Sequence, residues 1–501
     1  WRLAEAPRRR YRLGADVFAG RAPHGVPAPA SSVARPDLAD GRGCRRQQPC
    51  DPLADPGTPL ETLARRLGIK NVFHGDLEIG GRFSALSPFC LVPAALKGAP
   101  VARLLEAAIA MSERCREAAD PGRNPGAFLG AVLGVPGWAG RDKLTIILPP
   151  RFRAFGLWLE QLIAESTGKE GKGILPVLRE APGRPEAYGP DRLFVGLEAA
   201  GEPLRPTFIR ALEEAGHPVE IFRVRDPGDL GGQFFLWMMA TAVTGRFLGI
   251  NPFDQPDVEA AKAGAREAME AFRASGRLPQ EAPALSFGGV EVYGQVKGRD
   301  TMSALEGFLE HIPAGGYIAI TAWLPPSDET DILLQIFRTR LRDRYRVPVT
   351  VGYGPRYLHS TGQLHKGDAG RGVFIQLTAD SEEDIPIPDE PGSAGTALTF
   401  GILEAAQAAV QGAQAAVGQR LTEVALMAFG KLFRQPHLVL LSKARKQAGR
   451  DKKRDQQDPP IPSPEAKNQR AHDDRSQHTG AAQCSLAIPR VSNRRASNQA
   501  Q

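Results

Sequence analysis

Three short segments carry residue types that could move a proton on a polar substrate. Ile79–Ser87 reads IGGRFSALS. Gly80 and Gly81 let backbone approach a ligand closely, and Arg82 beside them can stabilise negative charge. Taken alone, such a glycine pair also marks a tight turn. Ala164–Gly173 reads AESTGKEGKG and places Glu165 among small polar residues and lysines. A phosphate-binding P-loop would need Gly five residues before the GK pair and Ser or Thr after it; Ile163 and Glu170 stand there, so the nucleotide reading fails. Gly249–Lys262 reads GINPFDQPDVEAAK, a loop marked by Asn251 and Pro252. A helix follows with acids in its first turn, and Lys262 lies about two turns in. A positioned carboxylate and a nearby cation are what abstraction of a proton beside a carbonyl requires, since an oxyanion develops as the proton leaves.

The elements around these segments alternate. DKLTIILPP, DRLFVGL and HPVEIFRV read as strands, and FGLWLEQLIAES, PTFIRALEEAG and FFLWMMATAVTGRFLG as helices. Helices of 10–15 residues between short apolar strands predict a parallel sheet covered on both faces. A second α/β stretch follows: YIAITAWL, ETDILLQIFRTRLRDRY, VPVTVGYG and GVFIQLTAD. The sequence predicts a first core over 55–265 and a second lobe over 285–415. No repeat at a fixed period is visible.

Residues 1–54 and 442–501 differ in texture. The first is rich in Arg, Pro, Gly and Ala, the second polar and low in aromatics, and both are expected to be disordered. Much of the formal net charge of +7 sits in these ends without interleaved aromatics, which argues against specific nucleic-acid binding. No run of 18 apolar residues occurs, so no membrane partner is expected. Five scattered cysteines without a CxxC pair predict reduced thiols and a cytoplasmic location. The chain begins with Trp, has no signal-peptide pattern, and is expected to be a fragment.

In this order the segments resemble the phosphoglucose isomerase family, and closely the isomerase part of its transaldolase-fused subgroup. GGRFSALS, LIAESTGKEGKGI, AGHPV, GINPFDQPDVE and YGPRYLHSTGQLHKG carry the resemblance, which runs from about Asp55 to about Ala415. It implies a doubly wound sugar isomerase fold and interconversion of glucose 6-phosphate and fructose 6-phosphate, a step of glycolysis and gluconeogenesis. Glu165 would be the base between C2 and C1, and Arg82 would stabilise the enediolate. Lys262 and Gln255 would contact the sugar and assist ring opening. Gly80, Gly81 and Ser84 would line the substrate, with His359 and His365 as further sugar contacts. No cofactor is required, the partner is the sugar phosphate, and a homo-oligomer is compatible.

The chain departs from that pattern in places. Cys90 stands where the first signature ends in Gly, and Leu77 where a polar residue is preferred. Gln233 and Met238 replace acids in LGGQFFLWMMATAV. Residues 1–54 lack the Gly-Ser turn and the Ser/Thr-rich loop that hold the phosphate. The alternative reading is therefore a truncated, non-catalytic sugar-phosphate-binding module, and weak or absent activity is expected of residues 1–501. Arg82, Glu165 and Lys262 are expected to converge on one cleft at the carboxyl ends of strands.

Overall fold

The computed structural model describes residues 52–429 apart from residue 70 and segments 117–122, 277–281, 288–289, 295, 380–383, 389–397 and 418–423. At 257–263, 265, 410–417 and 424–429 the backbone alone is described. The tail expected over 442–501 and nearly all of 1–54 lie outside the described residues.

In chain order the first half comprises β1 (Leu53–Ala54), α1 (Pro59–Arg66), β2 (Phe73–His74), α2 (Pro88–Leu96), α3 (Val101–Arg116) and α4 (Pro125–Trp138). It continues through β3 (Lys143–Ile147), α5 (Arg153–Thr167), β4 (Leu175–Leu178), β5 (Arg192–Ala199), α6 (Pro206–Glu214), β6 (Val219–Val224), α7 (Leu230–Leu248) and α8 (Asp257–Ser275). The second half runs β7 (Leu285–Phe287), β8 (Val290–Tyr293), α9 (Thr301–Leu309), β9 (Tyr317–Trp323), α10 (Asp328–Tyr345) and β10 (Val349–Tyr353). It ends with α11 (Gly362–Gly367), β11 (Gly372–Thr378), α12 (Phe400–Val417) and β12 (Val424–Phe429).

Two sheets organise these elements. The first has order β4-β3-β5-β6, all parallel. The second has order β10-β9-β11-β12 in parallel, extended by the antiparallel β8-β7 hairpin. Each set of four parallel strands is wound second-first-third-fourth, so the chain makes the same path twice without a repeat in its residues. The fold is α/β with parallel sheets, as expected.

The structure adds three strands that the sequence reading did not place. Leu53–Ala54, inside the segment expected to lack structure, pairs in parallel with Phe73–His74. The strand Val424–Phe429 lies beyond the expected end of the second lobe and joins β11 to β8. Leu175–Leu178 was not legible as a strand because Pro176 interrupts it. The structure puts it at the sheet edge, where proline's missing N–H is tolerated.

Packing follows the apolar strands. Leu144, Ile146, Leu193 and Val195 of the first sheet pack with Leu159 and Leu162 of α5 and Trp237 of α7. A second core forms around Ile318, Ile320, Val373 and Ile375. A third cluster, including Ala164, Val177, Tyr317 and Leu364, runs between the sheets. Polar ties reinforce it: Arg338 and Arg342 of α10 donate to the carbonyls of Leu178 and Ala181. Capping fixes where α10 begins, with Ser327 accepting from Thr330 N at 3.1 Å and acids at 328, 329 and 331 in the first turn.

The helix layer under the first sheet depends on small residues. A Cβ at Gly231 would lie 1.7 Å from the carbonyl oxygen of Leu104, so α7 and α3 can meet this closely because position 231 has no side chain. Gly231→Ala is expected to lower stability by about 1–3 kcal/mol through overpacking. Urea unfolding checks this, and an unchanged midpoint would contradict the packing described.

Candidate active site

Local structure brings Arg82 to its place. Gly80 and Gly81 lead into a 3-10 turn over Gly81–Leu86, closed by Ser84 Oγ donating to the Gly81 carbonyl at 2.6 Å. Ser87 then caps α2. The indole of Trp158 on α5 donates to the Arg82 carbonyl at 3.0 Å, and Phe83 packs on Phe253 with ring centroids 5.1 Å apart. A Cβ at Gly80 or Gly81 would meet nothing within 4 Å, and neither residue has positive φ. The fold itself therefore places no steric demand for glycine at either position.

The guanidinium of Arg82 is 2% exposed and touches two distant segments, the end of α5 and the loop after α7. Nε donates to Ser166 Oγ at 2.8 Å. Nη2 donates to the carbonyls of Pro252 at 2.8 Å and Asp254 at 2.9 Å. Nη1 donates to Gln255 Oε1 at 3.1 Å and lies 3.4 Å from Glu165 Oε1. Burial pulls the Arg82 pKa below its ordinary value, while Glu165 and Asp254 oppose that shift. Arginine nonetheless stays charged in proteins.

Glu165 sits in the last turn of α5 with its side chain 12% exposed. Gln161, one turn earlier, donates to Glu165 Oε2 at 3.1 Å. Helix α5 ends on Gly168, where a Cβ would lie 2.2 Å from Leu364 Cα of α11, so this position must be glycine. Gln363 donates to the Gly168 carbonyl at 3.0 Å. Beyond it, the buried ammonium of Lys169 donates to the carbonyls of Asn251 at 2.8 Å and Asp254 at 2.5 Å, and to Asp254 Oδ1 at 2.6 Å.

Of the residues singled out in the sequence, the structure brings together Arg82, Glu165 and Gln255, with Gly80, Gly81 and Ser84 in the turn that carries Arg82. Lys262 lies on α8 by its backbone, and its side chain is outside the described residues. His359 is exposed at the end of a 3-10 turn over Arg356–His359, whose Tyr357 is buried.

One expectation needs correction. The cluster does not lie at the carboxyl ends of the strands. Helix α5 leaves the carboxyl end of β3 and returns to the amino end of β4, so its last turn emerges at the amino edge. His365 lies in the interior. It is 6% exposed and surrounded by Tyr317, Tyr357 and Phe374, with ring centroids 5.1–6.1 Å away. Burial, with a smaller effect from Lys366, pushes its pKa down to about 3. The ring is held neutral and packs among aromatics.

Sequence reasoning missed Ser166, Trp158, Gln161 and Lys169. The i, i+4 spacing of Gln161 and Glu165 was a usable signal; the contacts of Ser166, Trp158 and Lys169 are long-range and left no local trace. Among the described residues, no group of three or more His, Cys, Asp or Glu side chains could hold a metal ion, and no helix is long and apolar enough to cross a membrane.

No family model matches the chain. A glucose-6-phosphate isomerase of Rubrobacter xylanophilus is 33% identical over 231 residues, 37% of this chain and 52% of that protein. The glucose-6-phosphate isomerase of Parabacteroides distasonis is 29% identical over 243 residues, 40% of this chain and 54% of that one. The chain is thus similar to glucose-6-phosphate isomerases. It spans about half the length of the curated relatives it matches. A solved glucose-6-phosphate isomerase from Chlamydia trachomatis is 18% identical with a TM-score of 0.35, covering 44% of this chain and 52% of that one.

The state of His365 generates a pH prediction. Its folded pKa lies below its unfolded value of about 6.5, so the unfolded chain binds the extra proton between roughly pH 6.5 and pH 3. Stability is therefore complete above pH 6.5 and falls as the pH drops through that window, by at most about 1.4 kcal/mol per pH unit. His365→Leu should flatten this part of the stability curve. Urea unfolding at pH 7 and pH 5 of parent and variant measures the difference; equal slopes would contradict a buried neutral ring.

Proposed function

We propose that this chain carries the proton-transfer centre of a sugar-phosphate isomerase acting between glucose 6-phosphate and fructose 6-phosphate. The observation that carries the reading is the pair Glu165 and Arg82, 3.4 Å apart, with the cation anchored by the end of α5 and by the loop after α7. Similarity to glucose-6-phosphate isomerases supports the substrate class.

In this reading Glu165 takes the proton from C2 of the open-chain aldose and returns it to C1. Negative charge moves from the carboxylate to the substrate oxygen as the proton transfers. Arg82 Nη1 stands beside the carboxylate at the start, so one cation serves both ends of the charge movement without moving far. As Glu165 becomes neutral its attraction for Nη1 weakens, which releases that donor to the enediolate when the oxyanion forms. Gln161 holds the other carboxylate oxygen and orients the base. The open space over Gly80 and Gly81 leaves room for substrate to approach the turn. Gln255 and Lys262 are assigned to sugar contacts and ring opening, and His359 to a sugar contact. A transaldolase-fused origin and a cytoplasmic location belong to the same proposal.

The second reading, a non-catalytic sugar-phosphate-binding module, draws on the fact that the chain spans about half of its relatives. One experiment separates the two. The full chain is supplied with fructose 6-phosphate, and glucose 6-phosphate is followed with a coupled dehydrogenase. Glu165→Gln should lower turnover by a factor of about 10² to 10⁴, because an amide cannot accept the proton, while sugar-phosphate binding survives. Binding without turnover in the parent chain favours the second reading. Turnover in the variant equal to the parent's would overturn the assignment of Glu165.

A further inference from the structure

Lys169 stands next to the proposed centre, yet its donors are all engaged. An ammonium has three N–H bonds. Here three acceptors take them: the carbonyls of Asn251 and Asp254 and the Asp254 carboxylate. The side chain is 1% exposed. A group so placed has no donor left for substrate. What it does hold is the turn from Asn251 to Gln255, the same turn that Arg82 grips through the carbonyls of Pro252 and Asp254 and the side chain of Gln255.

The carbonyl of Asp254 receives both cations, from Arg82 Nη2 at 2.9 Å and from Lys169 Nζ at 2.5 Å. Two like charges brought this close stay together through the oxygens between them. We propose that Lys169 is a positioning residue for the Arg82–Glu165 pair: it fastens the Asn251–Gln255 turn that Arg82 also grips and so fixes where Arg82 Nη1 points. The catalytic part of this claim rests on the isomerase reading above; the positioning part rests on geometry alone.

The fastening extends into the second half of the chain. Lys169 N and Lys172 N close a small turn on each other's carbonyls at 3.2 and 3.0 Å. That turn is bound to α11 by Gly171 N donating to the Gly367 carbonyl at 2.9 Å, beside the Gln363 bond to Gly168. The charged side chains that act on Lys169 are Asp254 on the turn, Arg82 and Glu165. Burial, the largest cause, and Arg82 draw its pKa down, while Asp254 and Glu165 draw it up. By reciprocity the Lys169 charge favours ionised Glu165.

The test uses the full chain carrying Lys169→Met and two readouts. The first is hydrogen exchange at Arg82 Nε–H by NMR, the signal being assigned by its loss in Arg82→Lys. One charge-assisted hydrogen bond contributes about 1.5–3 kcal/mol, so exchange should accelerate about 10- to 100-fold. The second is turnover of fructose 6-phosphate: kcat should fall by a similar factor with KM nearly unchanged, and the acid limb of the pH profile should move upward.

A folded variant with parent-like exchange at Arg82 overturns the proposal, as does accelerated exchange with an unchanged kcat in an active enzyme. Accelerated exchange in a chain whose parent shows no isomerisation upholds the positioning role, and the isomerase reading alone then fails. If Lys169→Met does not fold, Lys169→Gln carries the same expectations and the same contrary result. Failure of both to fold makes Lys169 a folding residue and overturns the proposal.

Discussion

The structure around the candidate site depends on keeping one guanidinium out of water. Burying a charge is costly unless every donor finds an acceptor. Arg82 meets this condition through Ser166, Pro252, Asp254, Gln255 and Glu165, which lie 83 to 173 residues away in sequence. No local segment could supply such a set. The turn at Gly81–Leu86, the end of α5 and the loop after α7 must therefore meet before the cation is satisfied. Glu165 is held beside Arg82 by the same requirement.

Lys169 makes the arrangement a two-cation one. Its acceptors include Asp254, which is half exposed, and backbone carbonyls that must be turned inward for the purpose. Carbonyl oxygens suit this task because they carry partial negative charge yet cannot be protonated or rotate away independently of the backbone. The second half of the chain contributes through α11, whose close approach requires glycine at 168. The lobe that carries no proposed base thus helps to set the end of the helix that does.

Much of the fold was legible because its strands are short apolar runs separated by periodic helices. Tyr317–Trp323 and Gly372–Thr378 are buried along almost their full length and read as such. Leu175–Leu178 escaped because Pro176 broke the pattern, and Val424–Phe429 because the residues around it read as the start of a tail. At the site, Arg82 and Glu165 could be singled out from residue type and local spacing. Their meeting could not, since the contact spans 83 residues and is made by tertiary packing. The edge of the sheet was misassigned because a general preference for carboxyl ends was applied to a residue at the end, not the start, of a crossover helix. The burial of His365 was not legible because a histidine in a glycine-rich loop looks accessible until its aromatic neighbours, drawn from β9, β11 and the turn at 356–359, are in place.

The central claim is that Glu165 moves a substrate proton while Arg82 holds the resulting oxyanion. Solvent exchange measures that step without requiring efficient turnover. The full chain is incubated with fructose 6-phosphate in D2O for hours, and deuterium at C1 of the recovered ketose is read by NMR, with Glu165→Gln in parallel. A base that shares its proton with solvent, acting through an enediolate, introduces deuterium with the parent chain and not with the variant. Equal deuterium with both proteins, or product formed by the parent chain without deuterium, would contradict the account.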